Sequence, residues 1–376
     1  MSALSAPPVP APVRRVLTRR LATQRLTSAG LTSAAEVVRL LCCVQSQEPL
    51  SASYSLGLRI GGRRPTTLET VRAEIDAGAI IRTHILRPTW HFVAPEDLRW
   101  ILAATSPKVE QGMAGRHRQL ELDERTIGRA LEGLTELLAG KNYRTRKQLG
   151  PEMTEHGIDV GERLGHILFL AEMRGLICSS PMIGGQHGYA LIDEWVAPAP
   201  ELDAQEATAR LVYRFFAGHG PASVDDLVRW CALTKGQIRP ALEAIGDGLE
   251  RIEVDGDELW FDPNIPARPS RRPEALLLPV FDEATLTYPR INFPRLDGHP
   301  LAGRPTGSAA SSDLASGAVL VDTENVGRYT RTVGPKSVTV RIQFAPTATA
   351  EHRERARIGA QAIGAFHGRP ITIEES

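Results

Sequence analysis

Residues 34–47, AAEVVRLLCCVQSQ, set Val37, Val38, Leu40, Leu41 and Val44 on a helical period and predict an amphipathic helix that Pro49 stops. The residues that follow decide what kind of fold this helix opens. A second short helix fits 52–58, and a third fits 68–77, capped by Thr66 or Thr67 and ended at Gly78. Residues 79–83 and 89–93 then alternate in the manner of paired strands.

The same order returns twice. Over 125–195 one helix runs through Ile127, Leu131, Leu134 and Leu138, two more fit 147–156 and 163–174, and strands at 176–179 and 188–192 flank a glycine-rich turn at 184–188. Over 206–262 helices fit 207–217, 223–231 and 235–245, followed by strands 249–254 and 258–261 around Asp255-Gly256-Asp257. Three passes at a spacing of roughly sixty to eighty residues are a repeat of architecture rather than of letters. They predict three tandem winged helix-turn-helix domains, a design that lays one helix in a DNA groove while neighbouring segments touch phosphates.

After Pro273 the chain turns strand-like at 275–281, 318–322, 327–333 and 337–344, with one helix at 350–366 and a last strand at 370–373. This predicts a small β-barrel-like domain or a sheet with one helix, so the fold class is α+β. Residues 297–316, rich in Gly, Pro, Ser and Ala, read as a long loop. The expected division is a flexible leader at 1–15, winged helices at 16–120, 121–200 and 201–270, and the C-terminal domain at 271–376.

Composition narrows the function. In 376 residues, 42% apolar side chains suit a packed globular chain, and 44 basic against 44 acidic groups give no net field toward nucleic acid. A DNA-binding face must therefore come from local clustering. No apolar run could span a bilayer, and the leader lacks a secretory pattern, so a cytoplasmic protein is expected, nucleoid-associated when on DNA. The four cysteines lack C-x-x-C spacing, the histidines lack ligand-like pairing, and no phosphate loop, dinucleotide fingerprint, zincin or nucleophile-elbow motif occurs. Neither a metal nor a cofactor is expected.

Residues 40–53, LLCCVQSQEPLSAS, and 82–93, RTHILRPTWHFV, resemble the signature of the AlkZ- and YcaQ-type DNA glycosylases. Residues 276–286, LLLPVFDEATL, and 319–331, VLVDTENVGRYTR, are similar to strands of that family's C-terminal barrel. The resemblance implies a concave DNA channel and a monofunctional enzyme that excises bulky N7-alkylguanine adducts from double-stranded DNA. Interstrand crosslink unhooking and self-resistance to a genotoxic natural product are part of the same implication. The AlkZ branch carries Gln, an apolar residue, then Gln. Here Gln45 and Gln47 match as the water-positioning pair, and Ser46 departs from the pattern.

Two residues apart on an ideal helix face nearly opposite ways, so Gln45 and Gln47 can share a site only if the helix unwinds there, which Pro49 favours. A glutamine amide cannot ionise water, but its oxygen can hold a water in line. That suffices when the leaving base is already cationic. DNA contacts are expected from Arg87, Thr89 and His91 in the first hairpin, and from Lys141, Arg144, Arg146 and Lys147 at the start of a helix. His91 reads equally as a buried structural histidine. Asp282 and Glu283 are rival carboxylates, better suited to a structural or capping role. Arg14, Arg15, Arg19 and Arg20 could reach phosphate but read as a solvated leader. The alternatives are a non-catalytic winged-helix regulator or adduct sensor and a protein-interaction module, and a monomer is expected.

Overall fold

Ala11 and Pro12 open a helix, α1 (Ala11–Thr23), whose apolar stripe of Val16, Leu17 and Leu21 is buried. The computed structural model describes residues 10–28, 30–62, 65–200, 202–299 and 316–376. Within those bounds the expected leader gives way to helix at Ala11, while its residues 1–9 and loop residues 300–315 lie outside the described residues.

The first repeat comprises α2 (Ala34–Leu41), β1 (Cys43–Gln45), α3 (Pro49–Gly57), α4 (Leu68–Asp76), β2 (Ile81–Arg87) and β3 (Thr89–Val93). A 25-residue helix, α5 (Pro95–Gln119), leads on. The second repeat has α6 (Glu124–Leu138), β4 (Arg144–Thr145), α7 (Arg146–Glu155), α8 (Leu164–Met173), β5 (Ile177–Ser179) and β6 (Gly188–Leu191), closed by α9 (Ile192–Trp195). The third has α10 (Ala204–His219), α11 (Val224–Trp230), α12 (Lys235–Ile245), β7 (Glu250–Val254) and β8 (Asp257–Phe261). Its hairpin turns at Asp255 and Gly256, both at positive φ (54° and 77°), as a two-residue turn of this type requires.

All three repeats share one topology. A short strand after the first helix pairs antiparallel with the second hairpin strand, giving orders β1-β3-β2 and β4-β6-β5. In the third repeat that strand is reduced to a bridge between Ala222 and Trp260 on β8. Periodicity alone could not find these strands, because two or three residues carry no measurable alternation.

The C-terminal part holds β9 (Leu276–Leu278), α13 (Glu283–Leu286), β10 (Gly317–Val321), β11 (Glu324–Val333), β12 (Val338–Phe344), α14 (Ala350–His367) and β13 (Ile371–Glu375). The sheet runs β13-β12-β11-β10-β9, with β12 and β13 parallel. Its edge strands β9 and β13 do not pair with each other. Among the described residues it is thus an open sheet packed on α14, the sheet-with-one-helix alternative, and no closed barrel is found.

One apolar core joins the inner residues of all three repeats, including Cys43, Leu134 and Phe215. Another fuses α2 and α3 to the C-terminal sheet and α14. α10 lies so close to α2 that a Cβ on Gly218 would meet the Leu40 carbonyl oxygen at 2.4 Å, which only glycine avoids. No helix among the described residues is long and apolar enough to cross a membrane.

A buried ion pair fixes the start of α13. Arg59 donates through both Nη atoms to the two Asp282 oxygens at 2.9 Å, Ser55 donates to Asp282 Oδ2 at 2.7 Å, and Asp282 Oδ1 caps α13 at Ala284 N. Both side chains are fully buried. Arg59→Met leaves that carboxylate without its guanidinium and is expected to cost about 3–5 kcal/mol, read as a lower urea midpoint. A cost below about 1 kcal/mol, typical of an exposed pair, would mean that this pair does not hold α13 in place.

Candidate active site

α2 does not reach Gln47. It ends at Leu41, Cys42 turns the chain at φ 64°, and Cys43 to Gln45 become the strand β1. Pro49 does not stop the first helix but opens α3 at its first turn, where a missing N–H costs nothing, with Glu48 capping Leu50 N and Ser51 N. Helix geometry therefore does not set Gln45 and Gln47 on opposite faces: Gln45 ends a strand and Gln47 lies in a bend two residues on.

Gln45 pairs with His91 across the β1–β3 ladder and is 7% exposed. Its Oε1 accepts from Arg87 Nη2 at 2.6 Å, and Arg87 Nη1 donates to the Arg229 carbonyl at 3.1 Å. Ser46 N donates to Trp90 O at 2.8 Å, so pairing continues one residue beyond β1. Gln47 is exposed, and its Oε1 accepts from Trp90 N at 3.3 Å. Ser46 is fully buried, and its hydroxyl has no hydrogen-bond partner, whereas its carbonyl accepts twice from Arg82. An apolar side chain would suit that pocket better.

Of the hairpin residues expected to touch DNA, Arg87 and Thr89 are half-buried and His91 is buried. His91 is 0% exposed, its Nδ1 faces Thr89 O at 2.8 Å, and its Nε2 has no partner. Burial, together with the charge of Arg87, pushes its pKa down to about 3, so the ring is neutral. Phe92 is also buried and Trp90 partly exposed, so strand alternation alone did not sort inside from outside. His91 and Arg87 thus support Gln45 from within, and a phosphate contact from His91 does not fit this burial.

Below Gln45 lies Glu283, fully buried at the start of α13. Its Oε1 accepts from Gln45 N at 2.9 Å, and its Oε2 accepts from Trp230 Nε1 at 3.0 Å and Thr287 Oγ1 at 3.1 Å. His219 Nε2 stands 3.4 Å from the same oxygen, its ring stacked on Phe215. Burial alone would raise this carboxyl's pKa, but His219, the Gln45 amide and Arg87 outweigh it and hold it down at about 2. Glu283 is therefore an ionised fixture with its oxygens engaged, as its reading as a structural residue anticipated.

On the side toward the second repeat, Trp90 carries the Arg82 guanidinium 4.3 Å from its ring centre and the His84 ring at 4.5 Å. Its Nε1 donates to the buried Glu172, which also meets His84 Nδ1, and Arg82 reaches His187 Nδ1 at 3.3 Å. No spacing rule singled out His84, Glu172, His187 or His219, because they come from separate elements and meet only through packing.

The basic run stands apart from the glutamines. Arg144 is tied to Glu152 at 3.0 Å, and Lys141 occupies a turn at φ 61° where Glu194 accepts from its backbone N–H. Arg146 and Lys147 open α7 and line a groove of about 550 Å³ that includes His187, and so borders the Trp90 side of the site. Among the described residues no group of three or more His, Cys, Asp or Glu could hold a metal ion.

The chain is thus a tandem of helix-and-hairpin units, with Gln45 at the end of its first strand and Gln47 two residues beyond. The family model for AlkZ-like DNA glycosylases matches residues 38–365, and the chain belongs to that family. The interstrand DNA cross-link repair glycosylase of Streptomyces sahachiroi is 25% identical over 237 residues, which cover 59% of this chain and 62% of that protein, less than two thirds of its length. The structure of Streptomyces sahachiroi DNA glycosylase AlkZ superposes with a TM-score of 0.74 at 19% identity, covering 96% of this chain and 98% of the other, so the fold is shared.

The Glu283 carboxyl gives a pH signature. Its folded pKa lies below the unfolded value, so its stabilisation is complete above about pH 5 and is lost as the pH falls toward about 2, amounting to about 3 kcal/mol. In denaturant titrations, Glu283→Gln is expected to lose less stability than the wild type over that acid range. An equal loss in both proteins would contradict the assignment.

Proposed function

We propose that the protein is a monofunctional DNA glycosylase that removes bulky N7-alkylguanine from double-stranded DNA, with Gln45 and Gln47 directing water at the sugar C1′. The observation that carries this reading is the Gln45 amide, locked by Arg87 at 2.6 Å at the end of β1, with Gln47 exposed two residues on and facing Trp90 N. One lone pair of the Gln45 oxygen accepts the hydrogen bond from Arg87 Nη2, and the other is left to accept from a water. The water oxygen bonds to C1′ as the C1′–N9 bond breaks. The bond's electrons neutralise the cationic base, and the proton lost by water passes to solvent. The transition state is oxocarbenium-like, so fixed dipoles rather than a strong acid lower its energy.

The three repeats are read as winged helices, 16–120, 121–200 and 201–270, followed by the C-terminal unit 271–376. Arg146 and Lys147, with Lys141 and Arg144 beside them, supply phosphate contacts at the start of α7. Thr89 and His91 act with Arg87 as supports of Gln45. The protein works as a monomer in the cytoplasm, associated with the nucleoid when bound, and its substrates include interstrand crosslinks left by a genotoxic natural product.

One observation favours a second reading, an adduct sensor without chemistry: Gln45 is nearly buried and the hydroxyl of Ser46 beside it is unsatisfied. Base release from a duplex with a single N7-alkylguanine, read as alkali-labile breaks, separates the two. Wild-type release that falls at least about tenfold in Gln45→Ala and Gln47→Ala is expected, as for loss of an oriented water. No release from simple or bulky adducts, with binding intact, would establish the sensor.

A further inference from the structure

The protein has no net charge, yet residues 10–28 and 263–273 carry arginines and no Asp or Glu. The fold brings these two stretches together. They form a groove of about 870 Å³ whose lining includes Arg14, Arg15, Arg19, Arg25 and Arg268 and no carboxylate.

The groove is built into the fold. Ser270 N and Arg271 N both donate to Thr27 O, at 2.9 and 3.1 Å, and Arg25 Nη1 donates to Pro266 O at 3.0 Å, so the second stretch is pinned against the turn after α1. Arg19 stacks on Phe261 at 3.8 Å from the ring centre. Arg19 Nε and Arg25 Nε are buried without a hydrogen-bond partner, and burial pushes both guanidinium groups below the usual arginine range. Guanidinium groups stripped of solvent cost free energy that a bound anion relieves, and at Arg19 the charge of Glu250 offsets only part of it. Arg15 and Arg19 lie about 6 Å apart along the helix axis, which spreads the charge along a track instead of focusing it on one phosphate.

The inner face of α1 points the other way. Arg20 and Gln24 are buried, and Gln24 Nε2 donates to Tyr288 Oη at 2.9 Å, which donates to His219 O beside Glu283. A buried layer thus separates the groove from Gln45. We propose that this arginine groove is a second anchoring site, which holds the sugar–phosphate backbone of the substrate DNA away from the lesion. The proposal rests on the DNA glycosylase reading above.

The test uses the full chain and two lesion-bearing duplexes, one running well past the lesion on both sides and one confined to its nearest neighbours. Arg15 and Arg268 are exposed. Arg15→Gln combined with Arg268→Gln is expected to reduce the slope of log affinity against log salt by about 2 on the long duplex. Base release from the short duplex and the thermal midpoint should not change. An unchanged slope on the long duplex, or an equal reduction on both duplexes, overturns the proposal. So does loss of inorganic pyrophosphate binding in the variant with the long-duplex slope intact, which would assign the groove to a small phosphate. If the wild type releases no base yet the slope responds to the variant, the anchoring site stands and the glycosylase reading fails.

Discussion

The buried carboxylate of Glu283 joins three parts of the chain at one point: the Gln45 backbone from the first repeat, the Trp230 indole and His219 from the third, and Thr287 beside it after the C-terminal sheet has begun. A lone ionised carboxylate in such a place would be prohibitively unfavourable. It is tolerated because its oxygens accept directed N–H and O–H groups and a histidine stands close by. The converse also holds, since those donors would be orphaned without it. β1 is only three residues long, too short to set its own register, so the position of the candidate catalytic strand depends on this contact and on the Arg59–Asp282 pair one residue before it.

What the glutamines can do follows from this support. A side-chain amide contributes only a dipole, and a dipole lowers a barrier to the extent that it is already oriented when charge develops. Arg87 holds the Gln45 oxygen, its other nitrogen anchors on the Arg229 carbonyl, and the neutral His91 lies opposite Gln45 in the β1–β3 ladder. Gln47, by contrast, is exposed and held through a longer contact to Trp90 N. One amide is held by a short contact inside the fold and the other lies at the surface.

Much of the architecture was legible in the sequence. α12 falls at 235–245 as read, Thr67 caps α4, Thr89–Val93 is β3, and the repeat order holds three times. What could not be read has physical causes. α1 was hidden because its apolar stripe is interleaved with arginines that ordinarily mark solvated chain. α5 carries Pro95 and an internal Pro107, which break the usual reading of a long helix. α2 ends early because Cys42 adopts positive φ, a tertiary constraint with no signature in a cysteine pair. At the site, Gln45 and Gln47 were singled out through family resemblance alone, whereas Glu283 and His219 became partners only through folding. His91 stood open between a DNA contact and a structural role, since strand alternation assigns faces only where one side of a sheet is solvated, and here the ring is buried.

The central claim is that water is oriented by amides and not activated by a titrating group. The most direct measurement is the single-turnover rate of N7-alkylguanine release from duplex DNA as a function of pH. Neither glutamine ionises, Glu283 stays a carboxylate down to about 2, and His91 stays neutral down to about 3. A rate that is flat from about pH 5.5 to 8 is therefore expected. A sigmoidal or bell-shaped profile with a midpoint in that range would contradict the claim and assign the chemistry to an ionising acid or base.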